Sequence, residues 1–284
     1  MFPGAYTAMV TPFDDRGQID WPGVAKLISW HEANGMHGVV LAGTNGEGPS
    51  LSAIEKRDLA RFGAQHAGKM KIILGAGTCS LPEVIWLCEQ AEKAGAQAAL
   101  VLPPFYFKAT DIGIENWFRG LLQSTSLPII IYNFPQTTGV TLRPEMIARL
   151  FSQFEHCIGI KDSSGDESLM DAYLQAGAEF RRAVLVGNET LILKCLNRGG
   201  SGTISGLANV FPRLISRQIE ERSDALQHLI NEAVAAIKKH PQPAVHKTVL
   251  RSKGLPCGTV RPPLEPLDEA AQREVIAFAQ TFGF

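Results

Sequence analysis

The sequence predicts an α/β fold, a (β/α)8 or TIM barrel with a C-terminal helical extension. Three observations support this fold class: short apolar runs rich in β-branched residues occur eight times, amphipathic segments with helical spacing separate them, and the strand signals stop after the eighth run. Near-continuous apolar strands that alternate with helices are typical of a parallel sheet covered on both faces. Eight such units can close a barrel of about 200–250 residues.

The predicted strands follow one another between residues 5 and 206. They are AYTAMV (5–10), GVVLAG (38–43), KIILGAG (71–77), AALVLPP (98–104), PIIIYN (128–133), CIGIKD (157–162), AVLVG (183–187) and GTISG (202–206). A doubly wound open sheet is the alternative arrangement. The G-x-G-x-x-G turn that would support a dinucleotide-binding sheet is absent after the first strand, so we expect a closed barrel.

Helix signals lie between the strands and continue beyond the last one. Two segments, SAIE at 52–55 and SLPE at 80–83, match the capping box, in which a Ser hydroxyl and a Glu carboxylate bind free amides at a helix start. After the eighth strand the patterns are helical only: FPRLISRQIEE, DALQHLINEAVAAIKKH, AVHKTVLRSKG and DEAAQREVIAFAQTF. We therefore expect a catalytic barrel over residues 1–222 and a helical region over residues 223–284.

The amino-acid composition argues against two classes of binding partner, nucleic acids and membranes. The 284 residues include 27 Lys and Arg against 28 Asp and Glu, so no excess positive charge is present to neutralise a phosphate backbone or an anionic membrane. We expect neither nucleic acid nor membrane as a partner. No apolar run approaches the ~20 residues that span a bilayer, and the first residues lack a basic region followed by an apolar stretch. These features predict a cytoplasmic protein.

Cysteine and histidine spacing gives no metal signal. The five cysteines are scattered without a C-x-x-C pair, and the seven histidines form neither H-E-x-x-H nor H-x-H. We expect reduced thiols and no metal site.

The ends of the predicted strands carry the candidate functional residues. A barrel of this kind places its active site at the C-terminal ends of its strands. Here those ends supply hydroxyls, amides, glycines, two tyrosines and one lysine, whereas His37, His156 and Arg181 precede their strands. The pattern disfavours a site built on a metal held by histidines.

Lys161 ends the apolar run IGIK. Burial among apolar neighbours disfavours the charged form of a lysine, so more of it is a free amine that can attack a carbonyl. The resulting Schiff base accepts electrons while a neighbouring C–C bond forms or breaks. The alternative is a lysine whose ammonium reaches solvent or pairs with Asp162.

Two further elements support the chemical interpretation of the lysine. Tyr132 ends the preceding strand, where its phenol could exchange protons with the reacting group, although a packed aromatic side chain is the alternative. The GTNGEG turn offers Thr44 and free backbone amides of the kind that bind a carboxylate or phosphate. A plain strand-to-helix turn is its alternative.

Several ordered motifs together resemble the dihydrodipicolinate synthase / N-acetylneuraminate lyase family. They are TAMVTPF, GTNGEGPSLS, LPPFYF, YNFPQTTG, IGIKDSSGD, GGSGTISGLANVFP and VRPPLEPL, and they span almost the whole chain. The resemblance implies a (β/α)8 barrel with a helical C-terminal region, usually a homotetramer. It also implies that pyruvate, or the pyruvate half of a 2-oxo acid, forms an imine with Lys161, without a metal or an organic cofactor.

The resemblance also implies roles in proton transfer. Tyr132 matches the general acid/base, Thr44 matches the hydroxyl that relays protons to it, and Tyr106 matches the tyrosine that family members lend across a subunit interface.

A second set of matches concerns substrate binding. The amides of Thr44 and Asn45 would hold the pyruvate carboxylate, and Gly187 and Ile204 match backbone positions near the imine.

The departures from the family pattern concern the second substrate. In the synthases an arginine follows the Tyr-Asn-x-Pro motif and binds the carboxylate of aspartate semialdehyde, whereas Gln136 and Thr137 follow it here. Asn45 replaces the second threonine of Gly-Thr-Thr-Gly-Glu. Losing a bidentate carboxylate ligand weakens binding of that substrate.

GTNGE followed by KDSSGD resembles 4-hydroxy-2-oxoglutarate aldolases, and GPSLS resembles 2-keto-3-deoxygluconate aldolases. We therefore predict a class I lyase that cleaves or forms a 2-oxo-3-deoxy acid, giving pyruvate and an aldehyde. Gln136, Thr137, Ser163 and Ser164 would contact the hydroxylated substrate. The alternatives are dihydrodipicolinate synthase itself, and a sugar-acid sensor on the same barrel, for which a retained Lys161 would have no use.

Overall fold

The computed structural model describes residues 2–283 and contains a closed barrel of parallel strands in the order β1 to β8, with β8 pairing β1. The strands are β1 (Gly4–Ala8), β2 (Gly38–Leu41), β3 (Lys71–Gly75), β4 (Ala98–Val101), β5 (Ile129–Asn133), β6 (Cys157–Asp162), β7 (Ala183–Val186) and β8 (Gly202–Ser205). The prediction of a (β/α)8 barrel is confirmed, and each predicted run overlaps one strand, although β1 begins one residue before its run, at Gly4. The runs extend past most strands because their last residues form the turns at the C-terminal end.

The barrel has two apolar regions. One fills the interior with side chains from alternate strand positions, including Tyr6, Val40, Ile73, Tyr132 and Ile204. The other lies between the strands and the surrounding helices. Because successive side chains of a strand point to opposite faces, each strand contributes to both regions. Both faces of the sheet are buried, which explains the near-continuous apolar runs.

Helices surround the barrel. Those between the first and last strands are α1 (Trp21–Ala33), α2 (Ala53–His66), α3 (Leu81–Ala94), α4 (Asp111–Gln123), α5 (Pro135–Thr138), α6 (Pro144–Gln153), α7 (Glu167–Phe180) and α8 (Ile192–Asn197). The capping box at the start of α2 is confirmed, since Ser52 and Glu55 bind each other's amides. The one predicted for α3 is wrong: Ser80 precedes the helix but makes no side-chain cap, and its amide instead binds the hydroxyl of Thr78 at 3.0 Å.

Four helices follow the last strand: α9 (Pro212–Glu221), α10 (Asp224–Ile237), α11 (Ala244–Ser252) and α12 (Glu269–Thr281). The predicted C-terminal helices are therefore present. The domain boundary after residue 222 stays a prediction, and the outermost residues of the two predicted regions, Met1 and Phe284, lie outside the described residues.

The remaining expectations concern membranes, thiols and metals. Within residues 2–283, every helix is too short or too polar to span a bilayer. The cysteines are free thiols, and all of them except Cys79 are buried. The same range holds no group of three or more His, Cys, Asp or Glu side chains arranged to bind a metal ion.

Candidate active site

Lys161 and Tyr132 lie in contact on neighbouring strands. The register of β5 and β6 places the two residues opposite each other, and the Nζ atom of Lys161 lies 4.1 Å from the centroid of the Tyr132 ring. Lys161 is 5% exposed and Tyr132 is 4% exposed. The structure therefore brings the predicted nucleophile and the predicted acid/base together at the C-terminal end of the barrel.

The Lys161 amine has no carboxylate partner among the described residues. Asp162 points to the opposite face of β6, where its carboxylate accepts hydrogen bonds from Asn133 Nδ2 at 2.7 Å and from Ser164 Oγ at 2.8 Å. Burial raises the pKa of Asp162, and these two hydrogen bonds oppose that rise. The alternative in which Lys161 pairs with Asp162 is therefore wrong.

The two residues line a cavity of about 460 Å³. All eight residues predicted to contact the substrate also line it: Thr44, Asn45, Gln136, Thr137, Ser163, Ser164, Gly187 and Ile204. The cavity is therefore formed by the turns after five strands, β2, β5, β6, β7 and β8, together with residues from the C-terminal region. A volume of this size accommodates a small organic acid.

The turn after β2 presents unpaired backbone donors beside the cavity. Within residues 2–283, the amides of Thr44 and Asn45 donate to no other residue. Gly206 allows close approach on the other side, because a Cβ atom there would lie 2.6 Å from Nδ2 of Asn45. Free amides next to an amine nucleophile can hold the carboxylate of a 2-oxo acid.

The predicted proton relay is not assembled within one chain. The Tyr132 hydroxyl accepts a long hydrogen bond from Ser163 Oγ at 3.4 Å, and the described residues show no hydrogen bond between Tyr132 and Thr44. Tyr106 lies in the loop after β4, is 78% exposed and does not line the cavity. The relay roles of Thr44 and Tyr106 therefore stay predictions.

Polar groups near the second half of the cavity come from α5 and the loop after β6. Gln136 donates from Nε2 to the carbonyl of Ser164 at 2.5 Å, which links the two segments. The Ser164 hydroxyl donates to Asp162 and is thus engaged within its own loop, whereas Ser163 lies beside Tyr132. Thr137 also lines the cavity, so the hydroxyl-rich character predicted for this wall rests mainly on Thr137 and Ser163.

Sequence reasoning missed six residues of the lining: Phe134, Asn188, Glu189, Gly206, Lys238 and Gln242. The first four lie in strand-end segments that the sequence did indicate. Glu189 is buried and accepts hydrogen bonds from Ser205 Oγ and the Gly206 amide, both at 2.9 Å, so it fixes the turn after β8. Lys238 and Gln242 come from the end of α10 and the following turn, where no sequence pattern pointed to the site.

Gly187 must remain a glycine for Lys161 to keep its place. A Cβ atom at this position would lie 2.0 Å from Oγ of Ser163 and 2.7 Å from Cε of Lys161. We expect Gly187→Ala to displace the amine and lower kcat/KM about 100-fold, the usual cost of a misplacement of about 1 Å. Steady-state kinetics measures this loss. Gly113→Ala, whose Cβ would meet only ordinary contacts in α4, is the matched control, and equal activity of the two variants would contradict the prediction.

The family comparisons agree with this geometry. The model of the "Dihydrodipicolinate synthetase family" matches residues 1–281. A 4-hydroxy-tetrahydrodipicolinate synthase of Archaeoglobus fulgidus is 34% identical over 282 residues, which cover 97% of this chain and 96% of the relative.

Two solved structures have nearly the same fold as this chain. The chloride-inhibited dihydrodipicolinate synthase from Acinetobacter baumannii, complexed with pyruvate, is 30% identical with a TM-score of 0.91, and the match covers 99% of each chain. The prophage protein YagE of E. coli K12, also in complex with pyruvate, is 27% identical with a TM-score of 0.95 and covers 100% of this chain and 99% of YagE. The chain thus belongs to the dihydrodipicolinate synthetase family and is a class I lysine Schiff-base lyase.

Proposed function

We propose that the protein is a pyruvate-dependent aldolase that cleaves or forms a 2-oxo-3-deoxy acid, such as 2-keto-3-deoxygluconate or 4-hydroxy-2-oxoglutarate. The observation that carries the proposal is the buried contact of Lys161 with Tyr132 in a polar cavity whose lining, within residues 2–283, includes no arginine. Hydroxyl and amide groups of Gln136, Thr137 and Ser163 suit a hydroxylated substrate better than a bare carboxylate.

The reaction needs one nucleophile and one group that moves protons. The neutral amine of Lys161 adds to the C2 carbonyl, and the carbinolamine loses water to give a protonated imine. The C3–C4 bond then breaks, its electron pair moves toward the imine nitrogen, and the C4 hydroxyl loses its proton as the aldehyde forms. Tyr132 is placed to accept and return protons in these steps. Protonation at C3 and hydrolysis release pyruvate and regenerate the amine.

Substrate binding in this proposal uses the remaining predicted residues. The amides of Thr44 and Asn45 hold the pyruvate carboxylate, and the backbone at Gly187 and Ile204 lies along the imine. The sequence of steps requires no metal and no organic cofactor.

We further propose that the active form is a homotetramer in which Tyr106 of a neighbouring subunit completes the relay through Thr44. Four large hydrophobic side chains close together along the chain are exposed: Phe105, Tyr106, Phe107 and Ile112. A second cavity of about 130 Å³, lined by Thr44 and Tyr132 among mostly apolar residues, lies next to the site and could receive an aromatic side chain.

Dihydrodipicolinate synthase is the second candidate function. It would condense pyruvate with aspartate semialdehyde on the same imine. The curated relatives favour this candidate over the first, because the Archaeoglobus fulgidus relative and its counterpart in Bacillus subtilis, 34% identical over 277 residues, both bear the synthase name.

The two candidates differ in their second substrate, so direct assays separate them. Cleavage of 2-keto-3-deoxygluconate and 4-hydroxy-2-oxoglutarate is followed by pyruvate release, and condensation is followed with pyruvate and aspartate semialdehyde. We expect the larger kcat/KM with one of the oxo acids. A larger value with aspartate semialdehyde would establish the synthase instead.

Borohydride reduction in the presence of pyruvate tests what both candidates share. We expect a reduced pyruvate adduct on the peptide that contains Lys161, located by mass spectrometry. An unmodified Lys161 would reject the imine mechanism and both candidates with it.

Lys238 is expected to select substrates with a distal carboxylate. Apart from Lys161, it is the only cationic side chain among the described residues that line the cavity, and it is exposed, which places it at the opening. We expect Lys238→Gln to raise KM for 4-hydroxy-2-oxoglutarate about 5-fold, equivalent to about 1 kcal/mol for an exposed ion pair, and to leave KM for 2-keto-3-deoxygluconate unchanged. Lys239→Gln, outside the cavity lining, is the control. Equal changes for both substrates would contradict this role.

A further inference from the structure

Glu47 belongs to the GTNGEG turn, yet the proposed reaction gives it no task. Its carboxylate is fully buried and lies 2.6 Å from Nζ of Lys247, whose side chain is 1% exposed. Lys247 lies in α11, 200 positions further along the chain. A buried ion pair over such a separation fixes two distant segments relative to each other, because removal of either partner leaves an uncompensated buried charge.

The C-terminal region holds this carboxylate with a second donor. The amide of Arg261 donates to Oε2 of Glu47 at 2.8 Å. Nζ of Lys247 also donates to the carbonyl of Thr259 at 2.7 Å and lies 4.2 Å from the centroid of the Phe13 ring. The ammonium and the carboxylate are therefore each held in one position by several contacts.

The same glutamate shapes the turn that carries the free amides. Its own amide donates to the carbonyl of Thr44 at 3.1 Å, and its φ angle is +56°, in the left-handed region that favours glycine. This conformation is unfavourable for a residue other than glycine, so it persists only where contacts with the surrounding structure hold the residue in it. The buried contacts of the Glu47 side chain hold the backbone in this conformation, only two residues from Asn45.

We propose that Glu47 and Lys247 are positioning residues for pyruvate, acting through the amides of Thr44 and Asn45. The ion pair holds the turn after β2 in the conformation in which both amides are available to a carboxylate. Neither side chain lines the cavity, so their effect reaches the substrate only through the turn. This inference rests on the proposed pyruvate imine at Lys161.

The test compares three variants by borohydride trapping over a range of pyruvate concentrations, together with thermal melting. They are Glu47→Gln, Lys247→Met and the double variant that carries both changes. We expect the pyruvate concentration for half-maximal trapping to rise about 10-fold in each, comparable to the loss of affinity when the groups that orient metal-binding side chains are removed. Trapping at saturating pyruvate should still occur on Lys161.

The double variant separates positioning from stability. Replacing both charges removes the unpaired buried group, so its melting temperature should recover toward the parent value, while the half-saturating pyruvate concentration stays high. Recovery of both quantities together would overturn the proposal and leave the pair a purely structural contact. The double variant also decides the question if a single variant does not fold.

A matched control uses an ion pair away from the cavity. Glu115 pairs with Arg149 at 2.6 Å between α4 and α6 and with Arg119 at 2.7 Å within α4, so Glu115→Gln removes both ion pairs without touching the turn after β2. We expect it to leave the half-saturating pyruvate concentration unchanged, and an equal shift in this variant would also overturn the proposal. Failure of the parent protein to form any adduct, by contrast, rejects the proposed function itself.

Discussion

Lys161→Met is expected to lower kcat about 10⁶-fold, the loss measured when a serine protease, which also works through a covalent intermediate, loses its nucleophile. Methionine has a similar length but cannot form the imine, and no other described residue of the cavity lining combines an amine with burial. The fold should persist, because an apolar side chain suits a buried position beside the Tyr132 ring. Pyruvate release measures the activity, and circular dichroism with thermal melting checks the fold.

Lys194→Met is the control for this experiment. Lys194 is an exposed residue of α8 that pairs with Glu167 at 2.5 Å, outside the cavity. We expect full activity in this variant and no borohydride adduct in Lys161→Met. Residual turnover within 100-fold of the parent in Lys161→Met would show that the reaction does not proceed through this amine.

Tyr132→Phe is expected to lower kcat about 10²–10⁴-fold, the usual contribution of a positioned general acid/base. The ring stays in place under Lys161 and beside Phe134, whose ring centroid lies 5.7 Å away, so only the phenolic oxygen is lost. The hydrogen bond that this oxygen accepts from Ser163 Oγ is 3.4 Å long, too long to stabilise the fold much. Stopped-flow measurement of imine formation should show that this step is slowed.

Tyr173→Phe is the matched control. The Tyr173 hydroxyl is buried and donates to the carbonyl of Leu142 at 2.5 Å, between α7 and the segment before α6. Its loss should cost about 1 kcal/mol of stability and leave kcat unchanged. A kcat for Tyr132→Phe close to that of Tyr173→Phe would remove Tyr132 from the mechanism.

The fold was predictable because local patterns determine it. Each strand is a short apolar run whose two faces are both buried, and the closed barrel follows from eight such runs separated by helical segments. The failed capping box at Ser80 shows where local patterns are insufficient. The Ser-x-x-Glu pattern forms the capping box at Ser52 and Glu55, but at Ser80 the hydroxyl of the preceding Thr78 accepts the hydrogen bond of the backbone amide instead.

The strand-borne part of the site was also predictable. Lys161 and Tyr132 end neighbouring strands, and a parallel barrel brings those ends together. Lys238 was not predictable, since its place at the opening depends on how α10 packs on the barrel.

Long-range pairs were equally hidden from local patterns. Glu47 lies in the GTNGEG turn and Lys247 lies 200 positions later, and only the folded chain shows that they meet. The family resemblance indicated the relay of Thr44 and Tyr106, but in our proposal that relay extends beyond one chain, so a single subunit does not assemble it.

Tyr132 lies on β5, whereas Gln136 and Thr137 lie on α5, and this separation determines how the substrate specificity can be changed. Tyr132 is fixed within the barrel core, whereas Gln136 and Thr137 lie on a four-residue helix, Pro135–Thr138, that begins two residues after β5 ends. In our proposal this helix forms the wall that contacts the aldehyde, so we expect substitutions in it to alter that wall and to leave the strand register of Lys161 and Tyr132 intact. A variant library confined to Gln136 and Thr137 is therefore a compact route to new carbon–carbon bond-forming catalysts on an unchanged core.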